Sequence, residues 1–314
     1  MTTDRLTGLI HHALIYDSDQ AFLDTTTGFC LDGLENDDAV LAVTTPANIA
    51  LLRDSLGTAA RHVEFTDAAA WYATPGRTLA AYHRYVDRHS ASHRRTRIIG
   101  EPVWHGRDPA QTLEWTRYES VINRAFADSP AWIICPYDTR TLPAAIVEDA
   151  RRTHPHLATG PRTHPSALYT DPELFEDTRN HRLTDHGHGA SMHFDSDLSK
   201  VRTFVTTQAA TLGISDDDTE LLVFAVNEVA TNAVQHGGGT GEIRLHRHEG
   251  KIICDIGDPG HLTGGFAGYL PPTGPHHGQG LWVVRQLCDL VEIHTRRPGT
   301  VVRLHLTLTS AAQD

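Results

Sequence analysis

Glu228, Asn232 and His236 stand four residues apart within the run from Asp218 to His236. On a helix that spacing puts all three on one face. Leu221, Leu222, Phe224, Ala225, Val229 and Ala233 supply an apolar surface around them. A carboxylate, an amide and an imidazole are costly to bury without partners. The stripe is therefore either a solvated face or one wall of a ligand site. Asp258-Pro259-Gly260 sets a carboxylate beside a tight turn, where it can accept a hydrogen bond from an exocyclic amine while the backbone closes on a ring. The same triplet is also an ordinary turn. Gly278-Gln279-Gly280-Leu281 leads into a helix and lets backbone N–H groups approach phosphate oxygens at the positive helix end. Gly299-Thr300 adds a hydroxyl. Each feature is weak alone; together they supply the parts of a nucleotide site.

The elements that must position these residues can be read from the hydrophobic pattern. Leu198 to Leu212 is an amphipathic helix stopped by Gly213. Ser215 caps a long helix to about His236, with Asp218 at the fourth place of a capping box. Strands Glu242 to His246 and Ile252 to Ile256 follow, then a Gly/Pro-rich loop to Gly280 and a helix Leu281 to Leu290. Strands Val291 to Thr295 and Val301 to Leu308 complete the pattern. Helices followed by mostly antiparallel strands predict an α/β two-layer sandwich.

The first half alternates differently. Strands at His11 to Tyr16, Ala39 to Thr44, His62 to Phe65, Arg97 to Glu101 and Ala131 to Cys135 are separated by helical stretches, the last ending at Thr153. This predicts a doubly wound, mostly parallel sheet. Ligands in such sheets bind beyond the strands' carboxyl ends, which here carry Tyr16, Asp17, Thr44, Thr45, Glu101, Trp104, Tyr137 and Asp138. No GxxxxGK follows the first strand, so the sheet has no P-loop. The expected organisation is an N-terminal domain over 1–160, a proline- and glycine-rich linker over 161–190 with one strand at Ala167 to Tyr169, and a C-terminal domain over 191–314.

Composition narrows the function classes. A chain of 314 residues with 39% hydrophobic and 21% charged residues suits two soluble globular domains. No apolar run reaches the ~20 residues of a membrane span, and the N-terminus does not read as a signal peptide, so a cytoplasmic protein is expected. A formal charge of -12 with no basic face argues against nucleic acid as a direct partner. Cys30, Cys135, Cys254 and Cys288 form no CxxC pair and read as small buried hydrophobes; Cys135-Pro136 also has the form of a haem-responsive pair. His89 and His93, four apart on a helix, are either a solvated face or two ligands of a metal lacking an obvious third.

In order and spacing, Glu228-x-x-x-Asn232-x-x-x-His236, Asp258-Pro259-Gly260, the run Gly278 to Asp289 and Gly299-Thr300 resemble the N, G1, G2 and G3 boxes of the GHKL ATPases. Within these they are most similar to the RsbW-like anti-sigma-factor serine kinases of actinobacteria, over about Ser191 to Leu308. The resemblance implies ATP and Mg²⁺ as cofactors. It implies that Asn232 binds the Mg²⁺, that Glu228 is general base toward a serine hydroxyl or water, and that Asp258 recognises the adenine amine. Gly260, Gly278 and Gly280 would shape the pocket and lid, Thr300 would support the adenine end, and His236 and Leu281 would complete the nucleotide site. Implied partners are a sigma factor and a small STAS-type antagonist protein, with homodimer formation through this half. The sequence departs from the pattern where His261 and Leu262 follow Gly260 in place of a second glycine, and where the lid from Phe266 to Gly278 is short and proline-rich. These departures leave open an ATP-gated partner-binding switch with weak or no turnover. A two-component histidine kinase would need a phosphoacceptor on a dimerising helix, and the surroundings of His193 do not match one.

His12-Ala13-Leu14-Ile15-Tyr16, Gly100-Glu101-Pro102-Val103-Trp104 and Cys135-Pro136-Tyr137-Asp138 resemble the MEDS sensory domain, a RecA-type fold without its Walker motif, over residues 8 to 155. This implies sensing of a small molecule. His12, Tyr16, Glu101 and Tyr137 are the expected ligand contacts, the alternative being satisfied polar groups at strand ends.

Overall fold

The computed structural model describes residues 8–92, 95–179, 183, 189–262, 266–272, 279–297 and 299–308. The chain divides into two compact units, one of Met1–Ala73 with Thr78–Glu176 and the other of Thr74–Arg77 with Asp177–Asp314.

The N-terminal elements run β1 (Ile10–Tyr16), α1 (Asp19–Glu35), β2 (Ala39–Thr44), α2 (Pro46–Leu56), β3 (Glu64–Asp67), α3 (Ala68–Trp71), α4 (Pro75–His89), β4 (Thr96–Gly100), α5 (Pro109–Ala125), β5 (Ala131–Asp138), α6 (Ala144–Thr153), β6 (His156–Thr159), β7 (Arg162–Pro165) and α7 (Pro172–Arg179). The sheet order is β3-β2-β4-β5-β1-β6-β7. Its pairs are parallel except β6 with β7. Ser18 caps α1 and Thr45 caps α2, each side-chain oxygen accepting a backbone N–H three residues on. Pro46 occupies the first turn of α2, where its missing N–H costs nothing. Leu14, Phe22, Phe29, Val40, Ala42, Ile99 and Ile134 form a core on one face of the sheet. Residues of opposite parity, among them His11 on β1 and Cys135 on β5, face the other side.

Strand β5 extends beyond Cys135, where the sequence pattern ends it. Pro136 has no N–H to give a ladder. Pairing with β4 stops at Ile134, whereas β1 pairs on through Asp138. The proline thus sits where one side of the strand no longer needs a donor.

The stretch expected as linker contains regular structure. β6, just before it, adds to β1; within it β7 turns back on β6, and α7 follows. Residues 167–169, expected as a strand, form a turn in which the Tyr169 N–H reaches the Ser166 carbonyl. The four prolines and the charged α7 hid this pattern, because an edge hairpin and a short helix need little apolar surface of their own. Phe175 on α7 is nonetheless fully buried.

The C-terminal elements are β8 (Ala190–Phe194), α8 (Leu198–Thr211), α9 (Asp216–His236), β9 (Gly241–His248), β10 (Lys251–Asp258), α10 (Gln279–Leu287), β11 (Leu290–Arg296) and β12 (Gly299–Thr307). The sheet is antiparallel with order β11-β12-β10-β9-β8. Strand β8 was not expected, since only Met192 and Phe194 in its five residues are large and apolar. Val201 and Val205 of α8, Leu222, Val226 and Val229 of α9, and Val284 of α10 pack with Ile243, Leu245, Cys254, Ile256 and Leu304 of the sheet. This is a helix layer on one face of a sheet. No helix among the described residues is long and apolar enough to cross a membrane.

Candidate functional site

Helix α9 begins at Ser215, whose hydroxyl accepts the Asp218 N–H, with three aspartates in the first turn facing the positive helix end. Its buried stripe of Leu222, Ala225, Val226, Val229, Ala230 and Ala233 fixes the rotation of the helix on the sheet. That rotation leaves Glu228 and Asn232 half-buried and His236 exposed, all along one side of a cavity of about 510 Å³.

The opposite wall comes from the ends of three strands. Asp258 on β10 is in register with Thr300 on β12, and Thr300 with Thr295 on β11. Asp258 Oδ1 accepts the Gly260 N–H at 2.7 Å. Thr300 donates to the Gly260 carbonyl at 3.1 Å, and both Thr300 and Thr295 accept the Leu262 N–H. Thr295 also meets His261 Nδ1 at 3.1 Å. The loop after Asp258, lacking the expected second glycine, is thus pinned by two hydroxyls. The close approach of α9 to this wall requires Gly237, where a Cβ would lie 2.3 Å from Asp258 Oδ1. The third wall is the start of α10. Gly280 and Leu281 line the cavity, and a Cβ on Gly280 would stand 2.7 Å from Glu228 Oε2.

The structure therefore brings Glu228, Asn232, His236, Asp258, Gly280, Leu281 and Thr300 to one cavity. Gly260 is joined to it through Asp258 and Thr300. Gly278 lies outside the described residues. His261 and Thr295 are additions that the sequence reading missed; a histidine in place of a glycine was the available signal.

The chemistry of the lining limits its occupant. Among the described residues, no Lys or Arg lines the cavity, whereas Glu228 and Asp258 do. Phosphates entering here need a cation brought with them. The Glu228 carboxylate and Asn232 amide oxygen are the hard oxygen donors that suit Mg²⁺. Burial raises the Asp258 carboxyl above its usual range, the Gly260 N–H opposing the shift.

The expected sensory residues are not brought to one place. Tyr16 and Glu101 are together: Glu101 accepts from the hydroxyls of Thr44 and Tyr16, from Asn48 Nδ2 at 2.9 Å and from the Thr45 N–H. These donors tie β1, β2 and α2 to the end of β4, which gives the carboxylate a structural task. His12 lies on a separate cavity of about 270 Å³ with Phe29, Arg97 and Trp132. Burial and the neighbouring His156 hold its pKa down to about 4. Tyr137, of opposite parity on β5, is buried beside Glu119 and His154. His89 lies 3.4 Å from Glu64, and His93 lies outside the described residues. His193 is on strand β8 and not on a helix. All four cysteines are free and buried.

Comparison with known proteins bears on both units. Residues 10–155 match the model of the MEDS family, the methanogen/methylotroph DcmR sensory domain. Residues 195–306 match the histidine kinase-like ATPase domain. The chain carries a MEDS domain followed by a histidine kinase-like ATPase domain. No curated protein matches it. Among solved structures, the RsbU and RsbW domains of Rv1364c from Mycobacterium tuberculosis align at 20% identity, covering 38% of this chain and 32% of that one, with a TM-score of 0.30. This chain thus spans about a third of that protein. The histidine kinase AdeS of Acinetobacter baumannii aligns at 13% identity over 44% of this chain and 74% of its own, with a TM-score of 0.27.

In the ATPase domain the raised pKa of Asp258 has a direction that can be measured. An ionised carboxylate accepts from an adenine amine and a protonated one loses that capacity. If Asp258 receives the adenine amine, ATP affinity should decline as pH falls, and the decline should begin at a higher pH than an ordinary aspartate would give. Titrating affinity against pH in the wild type and in Asp258→Asn checks this. An acid limb that persists in the variant would assign the effect elsewhere.

Proposed function

We propose that the ATPase domain binds ATP with Mg²⁺ in the cavity between α9, the ends of β10 and β12, and the start of α10. We further propose that it acts as a cytoplasmic serine/threonine protein kinase of the anti-sigma-factor type. The observation that carries this reading is the convergence of Glu228, Asn232, Asp258, Gly280 and Thr300 from four separate elements on one cavity. In this reading Asn232 holds the Mg²⁺ that neutralises the phosphates, and Asp258 receives the adenine amine. Glu228 takes the proton from a serine hydroxyl as that oxygen bonds to the γ-phosphorus and the bond to the departing ADP breaks. The substrate is a serine on a small STAS-type antagonist, and the second partner is a sigma factor. The MEDS domain supplies the signal by binding a small molecule, and two copies pair through the ATPase domain.

The pinned loop Gly260 to Leu262 favours one alternative, a switch that holds ATP and changes its grip on a partner without turning ATP over. Incubation with γ-labelled ATP and candidate antagonists separates the two. Phosphoserine that disappears in Glu228→Ala supports the kinase. Nucleotide binding with no transfer to any antagonist supports the switch. Because no Lys or Arg among the described residues lines the cavity, chelating Mg²⁺ should weaken ATP binding by about tenfold or more. Isothermal titration with and without chelator measures this, and unchanged affinity would remove Asn232 from its role.

A further inference from the structure

His11, Glu119, Cys135 and His154 come from four elements of the MEDS domain: β1, α5, β5 and the end of α6. All four are buried, and one donor atom from each lies within 4.8 Å of the others. His11 Nε2 is 3.4 Å from Cys135 Sγ, and His154 Nε2 is 3.3 Å from Glu119 Oε2. Donors arranged tetrahedrally around a metal at about 2.1 Å are about 3.4 Å apart. Two edges of the cluster already have that length.

The groups behind the donors aim them. Asn123 Nδ2 donates to the carbonyls of Ser120 and Thr153, so its Oδ1 is the atom left to face His11 Nδ1, at 3.0 Å. His154 Nδ1 lies 2.8 Å from the Ala150 carbonyl, which can only accept. Both imidazoles are therefore held with the proton on Nδ1 and the Nε2 lone pair turned inward. Supporting hydrogen bonds of this kind orient histidine ligands of metals. Neither oxygen of Glu119 makes a well-formed hydrogen bond.

We propose that His11, Glu119, Cys135 and His154 form a closed, four-coordinate site for a divalent metal ion of the zinc type. Two nitrogens, one sulfur and one oxygen are a borderline-soft set, suited to zinc and not to the all-oxygen shells of Ca²⁺ or Mg²⁺. Binding displaces the proton of the Cys135 thiol, and Glu119 binds as its carboxylate. The thiolate, the carboxylate, two neutral imidazoles and a divalent cation sum to zero charge, which removes the penalty of an unpaired charge in the interior. The ion would join two central strands to the two helices covering them. Sequence reading passed over the set because its members are far apart in the chain. The one local signal was Glu119 on the apolar face of α5, between Trp115 and Ile122.

The test uses the full chain without a histidine tag, expressed with zinc, dialysed against a weak chelator and assayed for metal by mass spectrometry. About one zinc per chain is expected. Cys135→Ser and Glu119→Gln should each lower retention about tenfold or more, whereas His164→Gln, at an exposed position of β7, should not. Since substitutions in a buried cluster can impair folding, Co²⁺ titrated into the metal-free wild-type chain gives an independent reading. A near-ultraviolet thiolate-to-cobalt band with the visible bands of a tetrahedral ion is expected. Absence of that band together with zinc well below one per chain would overturn the site and leave a cluster that shares protons. Full zinc retention in both variants would also overturn it, by placing the metal on other histidines.

Discussion

Asn232→Ala should weaken Mg²⁺-dependent ATP binding by about 10- to 100-fold, the range associated with losing a hydrogen bond to a charged group or a metal-site contact. Glu228→Gln should bind ATP nearly as well as the wild type, yet lose phosphoryl transfer by about 100-fold or more. The two variants separate holding from turnover because the residues differ in chemistry while sharing a helix face. Both side chains are half-buried on the cavity side of α9, and the helix is fixed by Val229, Ala230 and Ala233 behind them. Truncating Asn232 opens no void in that packing, so the thermal midpoint should stay within about 2 °C of the wild type. Glutamine keeps the shape of Glu228 against Gly280, where space is tight. Calorimetric titration of ATP and a labelled-phosphate assay give the two readouts. Wild-type affinity in Asn232→Ala would sink the assignment of this cavity as the nucleotide site. Wild-type transfer in Glu228→Gln would leave the cavity intact but remove the general base.

How legible these features were depended on whether the determinant was local. The four-residue spacing of Glu228, Asn232 and His236 was readable because a single helix with one apolar stripe fixes the orientation of all its residues. Asp258 and Thr300 are 42 positions apart, but both stand at the edges of glycine-marked turns, and the register of β10 on β12 makes them neighbours. By contrast, Thr295 and His261 act through a cross-strand hydroxyl network, which no spacing rule reveals. The N-terminal sheet was legible from its continuous apolar strands. Its expected ligand residues were harder to read, because parity decides which face a strand residue serves. Tyr16 ends β1 and Tyr137 stands one residue before the end of β5, yet one faces the Glu101 network and the other faces Glu119. The stretch over 161–190 read as linker because its stabilising contacts are polar and long-range.

Those contacts yield the other large expected effect. Arg117 on α5 donates from Nε and Nη2 to Glu176 on α7 at 2.8 and 2.6 Å, and from Nη1 to Glu114 at 3.1 Å. All three side chains are buried, with relative exposures of 8%, 3% and 2%. Arg152 lies over the ring of buried Phe175, one residue before Glu176. Arg117→Met removes the cation and leaves two carboxylates in the interior. Breaking a buried pair in this way costs about 3–5 kcal/mol, which for a unit of this size lowers the melting temperature by about 6–20 °C. Replacing Glu114 and Glu176 by leucine in the same chain should recover most of the loss, because the penalty comes from buried carboxylates that have lost the Arg117 cation and the apolar replacements need no partner. A melting temperature within 2 °C of the wild type for Arg117→Met would show that the triad is solvated in solution. The same interaction decides where the MEDS domain can be cut. A chain ending at residue 160 lacks α7, takes Glu176 away from Arg117 and uncovers the site of Phe175. A chain ending at residue 179 keeps them. The longer fragment should therefore melt cooperatively at the higher temperature, and equal stability of the two would mean that α7 contributes nothing to the domain.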